Sequence, residues 1–165
     1  MGLEDVVSLS VIIPVYNCAK YIEAAVDSII KQPVSVKCIV LVNDGSTDPS
    51  GVICDELAQK YSIIRVLHQE NKGVSIARNN GIEYVLSNTD SEHVMFLDAD
   101  DVWMKNWLSA DIIPYFNNGY DLLAFDYCRA DNQLRRRSIS YVYGCSRRWR
   151  LCCRYRSPKL RSICI

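Results

Sequence analysis

Short apolar runs alternate with amphipathic helical patterns along the first 127 residues, and this alternation constrains the fold more than any other feature of the chain. The apolar runs are rich in β-branched residues and short enough to be buried strands rather than helices. Five such runs lie at residues 8–15, 38–42, 63–69, 93–97 and 121–127. Helical patterns lie between them, at residues 18–32, 49–61, 72–87 and 104–116.

This order of elements predicts an α/β fold, in which a mostly parallel sheet is flanked by helices on both faces. Ligands of such sheets bind outside the carboxyl ends of the strands. Polar side chains follow three of the strands: Tyr16–Asn17 the first, Asn43–Ser46 the second and Asp98–Asp101 the fourth. We therefore expect a binding site at one edge of the sheet.

The acidic cluster in FLDADD, residues 96–101, places three carboxylates within four positions. If the strand geometry persists, Asp98 and Asp100 point to the same side, where repulsion raises one pKa unless a cation intervenes. Mg²⁺ is typically held by one or two carboxylates, water and substrate phosphates. The alternative is a solvated acidic turn or a helix cap before Trp103, and Asp101 fits such a cap.

Two further polar residues are candidates for ligand contact. Asp44 directly follows a buried strand, where its carboxylate can accept hydrogen bonds from a ligand's NH and OH groups. The rest of NDGSTDP is explained as a turn and helix start, with Asp48 as N-cap and Pro49 as the first helical residue. Arg78 lies on the helix that opens at Gly73 and is either a surface or salt-bridge arginine or a phosphate or carboxylate contact.

Four segments, in this order and spacing, carry a family resemblance: SVIIPVYNCAKYIEAAVDSIIKQ, VLVNDGSTD, NKGVSIARNNGI and FLDADD. Over about residues 8–127 the chain closely resembles the family 2 glycosyltransferases. The resemblance implies a GT-A (Rossmann-like) fold and a nucleotide-sugar donor, often UDP-linked. It also implies a divalent cation, Mn²⁺ or Mg²⁺, and glycosyl transfer with inversion at the anomeric carbon, as in polysaccharide biosynthesis.

The resemblance also implies roles for individual residues. The nucleoside pocket would be lined by Pro14, Val15 and Tyr16. Asp44 would contact the base, as it would uracil N3–H, and Arg78 lies in the donor-binding segment. Asp98 and Asp100 match the DXD motif, Asp98 toward the ribose or metal and Asp100 toward the metal and diphosphate. Asp101 is the less certain third metal ligand.

The general base that an inverting transfer requires is not identifiable in this sequence. In the family the base is a carboxylate well downstream of the DXD motif. Past Asp101 the chain has no Glu and no His, and its carboxylates are Asp111, Asp121, Asp126 and Asp131. We therefore interpret residues 1–127 as a donor-binding half. A nucleotide-sugar-binding module without turnover is the alternative, and a nucleotidyltransferase is disfavoured because PVYNCAKYI lacks glycine.

Residues 128–165 have a different composition from the rest of the chain. They contain 11 Lys and Arg and one Asp, against 8 Lys and Arg and 18 Asp and Glu before them, which gives net charges of +10 and −10. This tail also holds five of the eight cysteines. A basic surface for nucleic acid or an anionic membrane, a cysteine metal site and a disulfide scaffold are three interpretations. The abrupt switch favours a fourth, an aberrant or disordered C-terminus.

Location and partners are constrained only coarsely by the sequence. No apolar run approaches the roughly 18 residues of a membrane span, and the N-terminus has two acids and no basic n-region. We therefore expect a cytoplasmic protein, with peripheral contact to the inner face of the membrane through the basic tail as an extension. The expected partners are a nucleotide-diphosphate sugar and a glycan or lipid-linked acceptor, whereas nucleic acid is not expected.

Overall fold

The computed structural model describes residues 6–109, Pro114 and three short strands further along the chain. The described elements are β1 Val6–Val15, α1 Ile22–Ile30, β2 Ser35–Asp44, α2 Ser50–Lys60, β3 Ile64–Gln69, α3 Val74–Asn88, β4 His93–Phe96, β5 Leu122–Ala124, β6 Tyr143–Gly144 and β7 Ser162–Cys164. Strand and helix alternate through β4, which confirms the expected α/β class.

The strands form one sheet in the order β3-β2-β1-β4-β7-β5-β6. All neighbours are parallel except β5 and β6. The central strand β1 pairs with β2 as far as Val15 beside Asn43, and with β4 as far as Ile12 beside Phe96. The sheet is therefore mostly parallel, as predicted.

Helices cover both faces of this sheet. Alternate residues of a strand point to opposite faces. Val11 and Ile13 of β1 accordingly belong to a core cluster with the buried residues of α1 and α2, whereas Ile12 packs in a second cluster with α3. Helices α1 and α2, which connect β1 to β2 and β2 to β3, lie on one face of the sheet, and α3, which connects β3 to β4, lies on the other. The chain therefore runs outward from β1 to β3 and then crosses back to place β4 on the other side of β1. The crevice beyond the carboxyl ends of β1 and β4 is where doubly wound folds bind ligands.

Close packing fixes α3 against the central strand. A Cβ atom added to Gly81 would lie 2.5 Å from Cγ2 of Ile12, so only glycine permits this approach. Arg78 lies three residues earlier in the same helix. The contact between α3 and β1 therefore helps to set the height of Arg78 relative to the strand ends.

The helix expected over residues 104–116 is wrong for residues 104–109, which form turns and bends. Gln32, two residues after α1, supplies the reason. Its Nε2 donates to the carbonyl of Met104 over 3.0 Å, and its Oε1 accepts from the N–H of Leu108 over 2.9 Å. These two groups would bond each other in a helix. Asn106, at φ +59°, also departs from helical geometry.

Other boundaries differ by a few residues. Residues 17–21 form a turn, so α1 begins at Ile22 rather than near residue 18. Strand β2 extends two residues beyond the apolar run, so that Asp44 still pairs within the sheet, opposite Gln69. Residues 110–113 and 115–121, with Asp111 and Asp121, and most of the tail lie outside the described residues.

None of the helices in the described part of the chain has the length and hydrophobicity needed to span a lipid bilayer. The cytoplasmic location and the membrane contact of the tail stay predictions.

Candidate functional site

Hydrogen bonds join the loop after β1 to the loop after β2. Asn17 adopts a left-handed conformation, with φ +52°, and its Oδ1 accepts from the backbone N–H groups of Thr47 and Asp48 over 2.8 and 3.2 Å. In return, the Asn17 N–H donates to Ser46 Oγ over 3.1 Å. The two polar segments that the sequence places after neighbouring strands are thus held as one surface.

Asp48 extends this junction to the start of α2. Its Oδ2 accepts from the N–H of Ala19 over 3.1 Å, and its Oδ1 accepts from the N–H of Ser50 over 2.9 Å. The Ser50 hydroxyl accepts the N–H of Cys18 over 2.8 Å. Hydrogen bonding from Ser50, first through its side chain, holds the pKa of Asp48 below its ordinary value. The prediction of Asp48 as N-cap is wrong by one residue, because α2 begins at Ser50 with Pro49 as its N-cap, although the Asp48 carboxylate still accepts the first N–H of the helix.

Asp44 lies at the end of β2 and is only 3% exposed. Oδ1 accepts from Gln69 Nε2 over 2.7 Å and from the Lys72 N–H over 2.8 Å, and Oδ2 accepts from the Gly73 N–H over 2.8 Å. An ionised carboxylate has about four acceptor positions. One position is therefore left for a further donor.

The surroundings of Asp44 include residues that the sequence did not single out. Gln69 Oε1 accepts from Asn80 Nδ2 over 2.6 Å, which fixes the Gln69 amide so that its Nε2 faces Asp44. Gly45 has φ +67°, and a Cβ atom there would lie 2.6 Å from the Asn71 nitrogen. In the sequence, Gln69 could have been found by its position at the carboxyl end of the third apolar run, where ligand-binding residues are expected.

A second network in the same region involves His68, which the sequence interpretation also missed. Asn43 Nδ2 lies 2.9 Å from His68 Nδ1, and His68 Nε2 lies 3.0 Å from Asp55 Oδ1. Asn43 Oδ1 accepts the Ser46 N–H over 3.1 Å. This network connects the loop after β2 to α2, and it supports the loop from the side away from β1.

The acidic cluster forms a turn rather than a continuation of β4. The strand ends at Phe96, and the Asp101 N–H donates to the Asp98 carbonyl over 3.0 Å. The expected extended geometry is therefore wrong, because the backbone closes on itself after the strand. Asp98 and Asp100 are nevertheless both exposed, while Ala99 between them is buried. Both carboxylates are accessible to solvent.

Arg78 binds the first acid of this turn. Nη2 donates to Asp98 Oδ1 over 2.6 Å, and the guanidinium carbon lies 5.5 Å from the centre of the Phe96 ring. Of the two interpretations from the sequence, the salt bridge is the one seen in the structure. Arg78 Nε is buried and has no hydrogen-bond partner among the described residues. The arginine therefore keeps an unsatisfied donor at this edge.

The three carboxylates of the acidic turn, Asp98, Asp100 and Asp101, still repel one another. The pKa of Asp101 is raised above its ordinary value, first by desolvation and then by the charges of Asp100 and Asp98. Within the described residues, no group of three or more His, Cys, Asp or Glu side chains is arranged to hold a metal ion. The turn suits a cation that takes one or two carboxylates and draws its other ligands from water and phosphate.

The three residues expected to line the nucleoside pocket lie at the end of the central strand. Pro14 and Val15 are buried within β1, and Tyr16 follows the strand with 48% of its surface exposed. Tyr16 and Asn17 precede the junction with the loop after β2. Tyr16 is therefore the member of this trio whose side chain is available to a ligand.

The glycosyl transferase family 2 model matches residues 10–162. Among curated relatives, the glycosyltransferase GlyG of Streptococcus pneumoniae is 43% identical over 101 residues, covering 61% of this chain and 32% of GlyG. The chain spans about one third or less of the length of the curated relatives it matches.

Solved structures agree with this match. S. aureus TarS 1-349, in complex with UDP-GlcNAc, superposes with a TM-score of 0.57 at 29% identity, covering 70% of this chain and 33% of that one. A mannosyltransferase from Pyrobaculum calidifontis, in complex with GDP-Man and Mn²⁺, gives a TM-score of 0.64 at 23% identity, covering 74% and 36%, which shows the fold alone. The GT-A architecture is thus confirmed, and the chain belongs to glycosyl transferase family 2.

Proposed function

We propose that this chain binds the donor of a glycosyltransferase that moves a sugar from a nucleotide diphosphate, UDP in the first instance, to an acceptor. The observation that carries the proposal is the meeting of three polar segments at the carboxyl edge of β1, β2 and β4, joined by the hydrogen bonds of Asn17, Asp44 and Arg78. The TarS neighbour, solved with UDP and with UDP-GlcNAc, supports the choice of nucleotide.

Asp44 is proposed to recognise the base. Three of its roughly four acceptor positions are used by Gln69, Lys72 and Gly73. The remaining position suits a single N–H donor such as uracil N3–H. Because the surrounding donors hold the carboxylate in place, the base would meet a pre-oriented acceptor, with little ordering of the side chain on binding. Pro14, Val15 and Tyr16 are proposed to complete the nucleoside pocket.

The acidic turn is proposed to hold Mn²⁺ or Mg²⁺ through Asp98 and Asp100, with Asp101 as the less certain third ligand. Both proposed ligands are exposed, and the pKa of Asp101 is raised first by desolvation and then by the charges of Asp100 and Asp98, which a cation would neutralise. When bound, such a cation would stabilise negative charge on the leaving diphosphate. Arg78, with an unsatisfied Nε–H, is proposed to add a donor to the phosphate oxygens.

The transfer itself is proposed to be a single displacement. An acceptor oxygen forms the new bond to the anomeric carbon, the bond to the diphosphate breaks, and a base takes the acceptor proton. No described residue is assigned as that base. Past Asp101 the sequence offers four aspartates and no glutamate, which favours donor binding without turnover by this polypeptide as the second candidate function.

Calorimetry of UDP binding with and without Mn²⁺ tests the proposed site. We expect binding that requires Mn²⁺, and we expect Asp100→Ala to weaken it by at least roughly ten-fold, about 1.4 kcal/mol. Glu56→Ala, which removes an exposed acid of α2, is the matched control and should leave the affinity unchanged. An equal UDP affinity with and without Mn²⁺ would contradict the metal role, and no binding at all would contradict the nucleotide site.

Incubation of the same chain with UDP-GlcNAc separates the two candidate functions. Release of UDP with transfer or hydrolysis of the sugar would support an active transferase. Binding of UDP-GlcNAc without UDP release would support the donor-binding module.

A further inference from the structure

Arg78 joins α3 to the strand end that carries the acidic turn. Its Nη2 donates to Asp98 Oδ1 over 2.6 Å, and its guanidinium lies over the ring of Phe96, two residues before Asp98. One of the two proposed metal ligands is therefore already paired with a positive charge supplied by the protein. A cation that binds Asp98 must share that carboxylate with Arg78 or displace it.

A second observation points to another partner for the same arginine. The Nε–H of Arg78 is buried and has no acceptor among the described residues. A buried donor without an acceptor is unfavourable, and the planar fork of guanidinium donors suits phosphate oxygens. Arg78 therefore has one donor engaged with a carboxylate and another that an incoming oxyanion would satisfy.

We propose that Arg78 competes with the divalent cation for Asp98, and that it passes from Asp98 to the phosphate oxygens when nucleotide and cation bind together. The proposal rests on the proposed function, because it takes a nucleotide diphosphate as the ligand. The ion pair weakens cation binding to the nucleotide-free protein. Bound nucleotide would draw Arg78 away from Asp98 and so raise the affinity for the cation. By linkage, the cation would raise the affinity for the nucleotide by the same factor.

The expected competition is modest. The side chains of Arg78 and Asp98 are 34% and 51% exposed, so solvent screens their attraction. Exposed ion pairs of this kind change an equilibrium by roughly two- to five-fold. Loss of the phosphate contact is the larger effect, because a charge-assisted hydrogen bond changes affinity by roughly ten-fold or more.

Titration of Mn²⁺ into the nucleotide-free full chain, followed by electron paramagnetic resonance of free Mn²⁺, tests the competition directly. We expect Arg78→Gln to bind Mn²⁺ about two- to five-fold more tightly than the unaltered protein. In the presence of Mn²⁺, the same variant should bind UDP at least roughly ten-fold more weakly. The two affinities should therefore move in opposite directions.

Arg65→Gln is the matched control, because it removes an exposed arginine whose Nη1 bonds only to the carbonyls of Ser62 and Ile64 among the contacts described. It should change neither affinity. Equal tightening of Mn²⁺ in both arginine variants, or none in Arg78→Gln, would overturn the competition.

Arg78→Lys provides a second variant if Arg78→Gln does not fold. It keeps the charge but lacks the guanidinium fork and the Nε–H, so UDP affinity should fall while Mn²⁺ affinity changes less than twofold. Unchanged UDP affinity would overturn the partner exchange. A failure of the unaltered chain to bind UDP would instead count against the proposed function, and the nucleotide-free Mn²⁺ comparison would still decide the competition for Asp98.

Discussion

At the scale of single residues, Asp44 has both a structural and a proposed binding role. Its buried carboxylate ties the end of β2 to the backbone that enters α3, through the N–H groups of Lys72 and Gly73. The same contacts leave one acceptor position free. The residue that would recognise a base is thus also the one that fixes the loop beside the base, so changes at Asp44 should affect stability as well as affinity.

Asp44→Asn should lower the free energy of unfolding by about 1–3 kcal/mol. The amide keeps one acceptor oxygen, but its NH₂ group cannot accept a hydrogen bond and would face a buried N–H donor. Asp27→Asn is the matched control, since Asp27 forms an exposed pair with Lys31 at i,i+4 and should cost no more than about 0.5 kcal/mol. Urea unfolding at neutral pH measures both. Equal losses would show that the three contacts of Asp44 contribute little.

At the scale of elements, one side chain replaces the backbone hydrogen bonding of a helix. Gln32 bonds Met104 O and Leu108 N, and Ser28 Oγ accepts the N–H of Trp103 over 2.9 Å. The segment after the acidic turn is therefore fixed to α1 and to Gln32 just after it, in addition to its own backbone hydrogen bonds from Trp107 and Ser109. This attachment holds the polypeptide that follows Asp101 in a non-helical conformation directly after the proposed metal ligands.

Gln32→Ala should loosen residues 103–109, because the buried N–H of Leu108 loses its acceptor and the carbonyl of Met104 keeps, among the described residues, only the N–H of Trp107 as donor. We expect faster hydrogen exchange at the Leu108 amide and a stability loss of roughly 1–3 kcal/mol. Gln59→Ala, an exposed position of α2, is the control and should be neutral within about 0.5 kcal/mol. If exchange at Leu108 is unchanged, or if the segment becomes helical without loss of stability, the role assigned to Gln32 is wrong.

At the scale of the whole molecule, the core clusters of the described residues 6–109 extend from Leu9 to Leu108. The proposed site residues, from Pro14 to Asp101, lie within the same part of the chain. Strand β7, by contrast, comes from the basic tail and pairs with β4 and β5. The tail therefore contributes two described strands, β6 and β7, and β7 lies between β4 and β5 in the sheet.

Because all the proposed site residues lie between Pro14 and Asp101, we predict that a chain ending at residue 127 keeps a cooperative fold and binds UDP with Mn²⁺ within roughly twofold of the full chain's affinity, a difference of about 0.4 kcal/mol. The measurements are thermal unfolding by circular dichroism and calorimetry. The full chain measured at the same ionic strength is the control, because the truncation removes a net charge of +10. A ten-fold loss of UDP affinity, or the loss of a single cooperative unfolding transition, would show that the donor-binding half does not end at residue 127.

Some of this architecture could be predicted from the sequence because the relevant forces are local. Buried parallel strands appear as continuous apolar runs, and α1 shows its core face as a periodic apolar pattern. Polar residues at strand ends then indicate the edge where a ligand binds. The order of elements through β4 was determined in this way, whereas the family was indicated by the four segments that resemble family 2 glycosyltransferases.

Long-range contacts decided the rest. The helix predicted at residues 104–109 does not form, because Gln32, 72 residues from Met104, bonds the backbone groups that a helix would pair. The salt bridge of Arg78 depends on Asp98, 20 residues away, and the Gln69–Asp44 contact spans 25 residues. The sequence by itself determined the order of strands and helices through hydrophobic pattern, and its polar residues indicated the proposed binding edge. Only the tertiary structure decided which polar groups pair, because pairing depends on distances that packing sets.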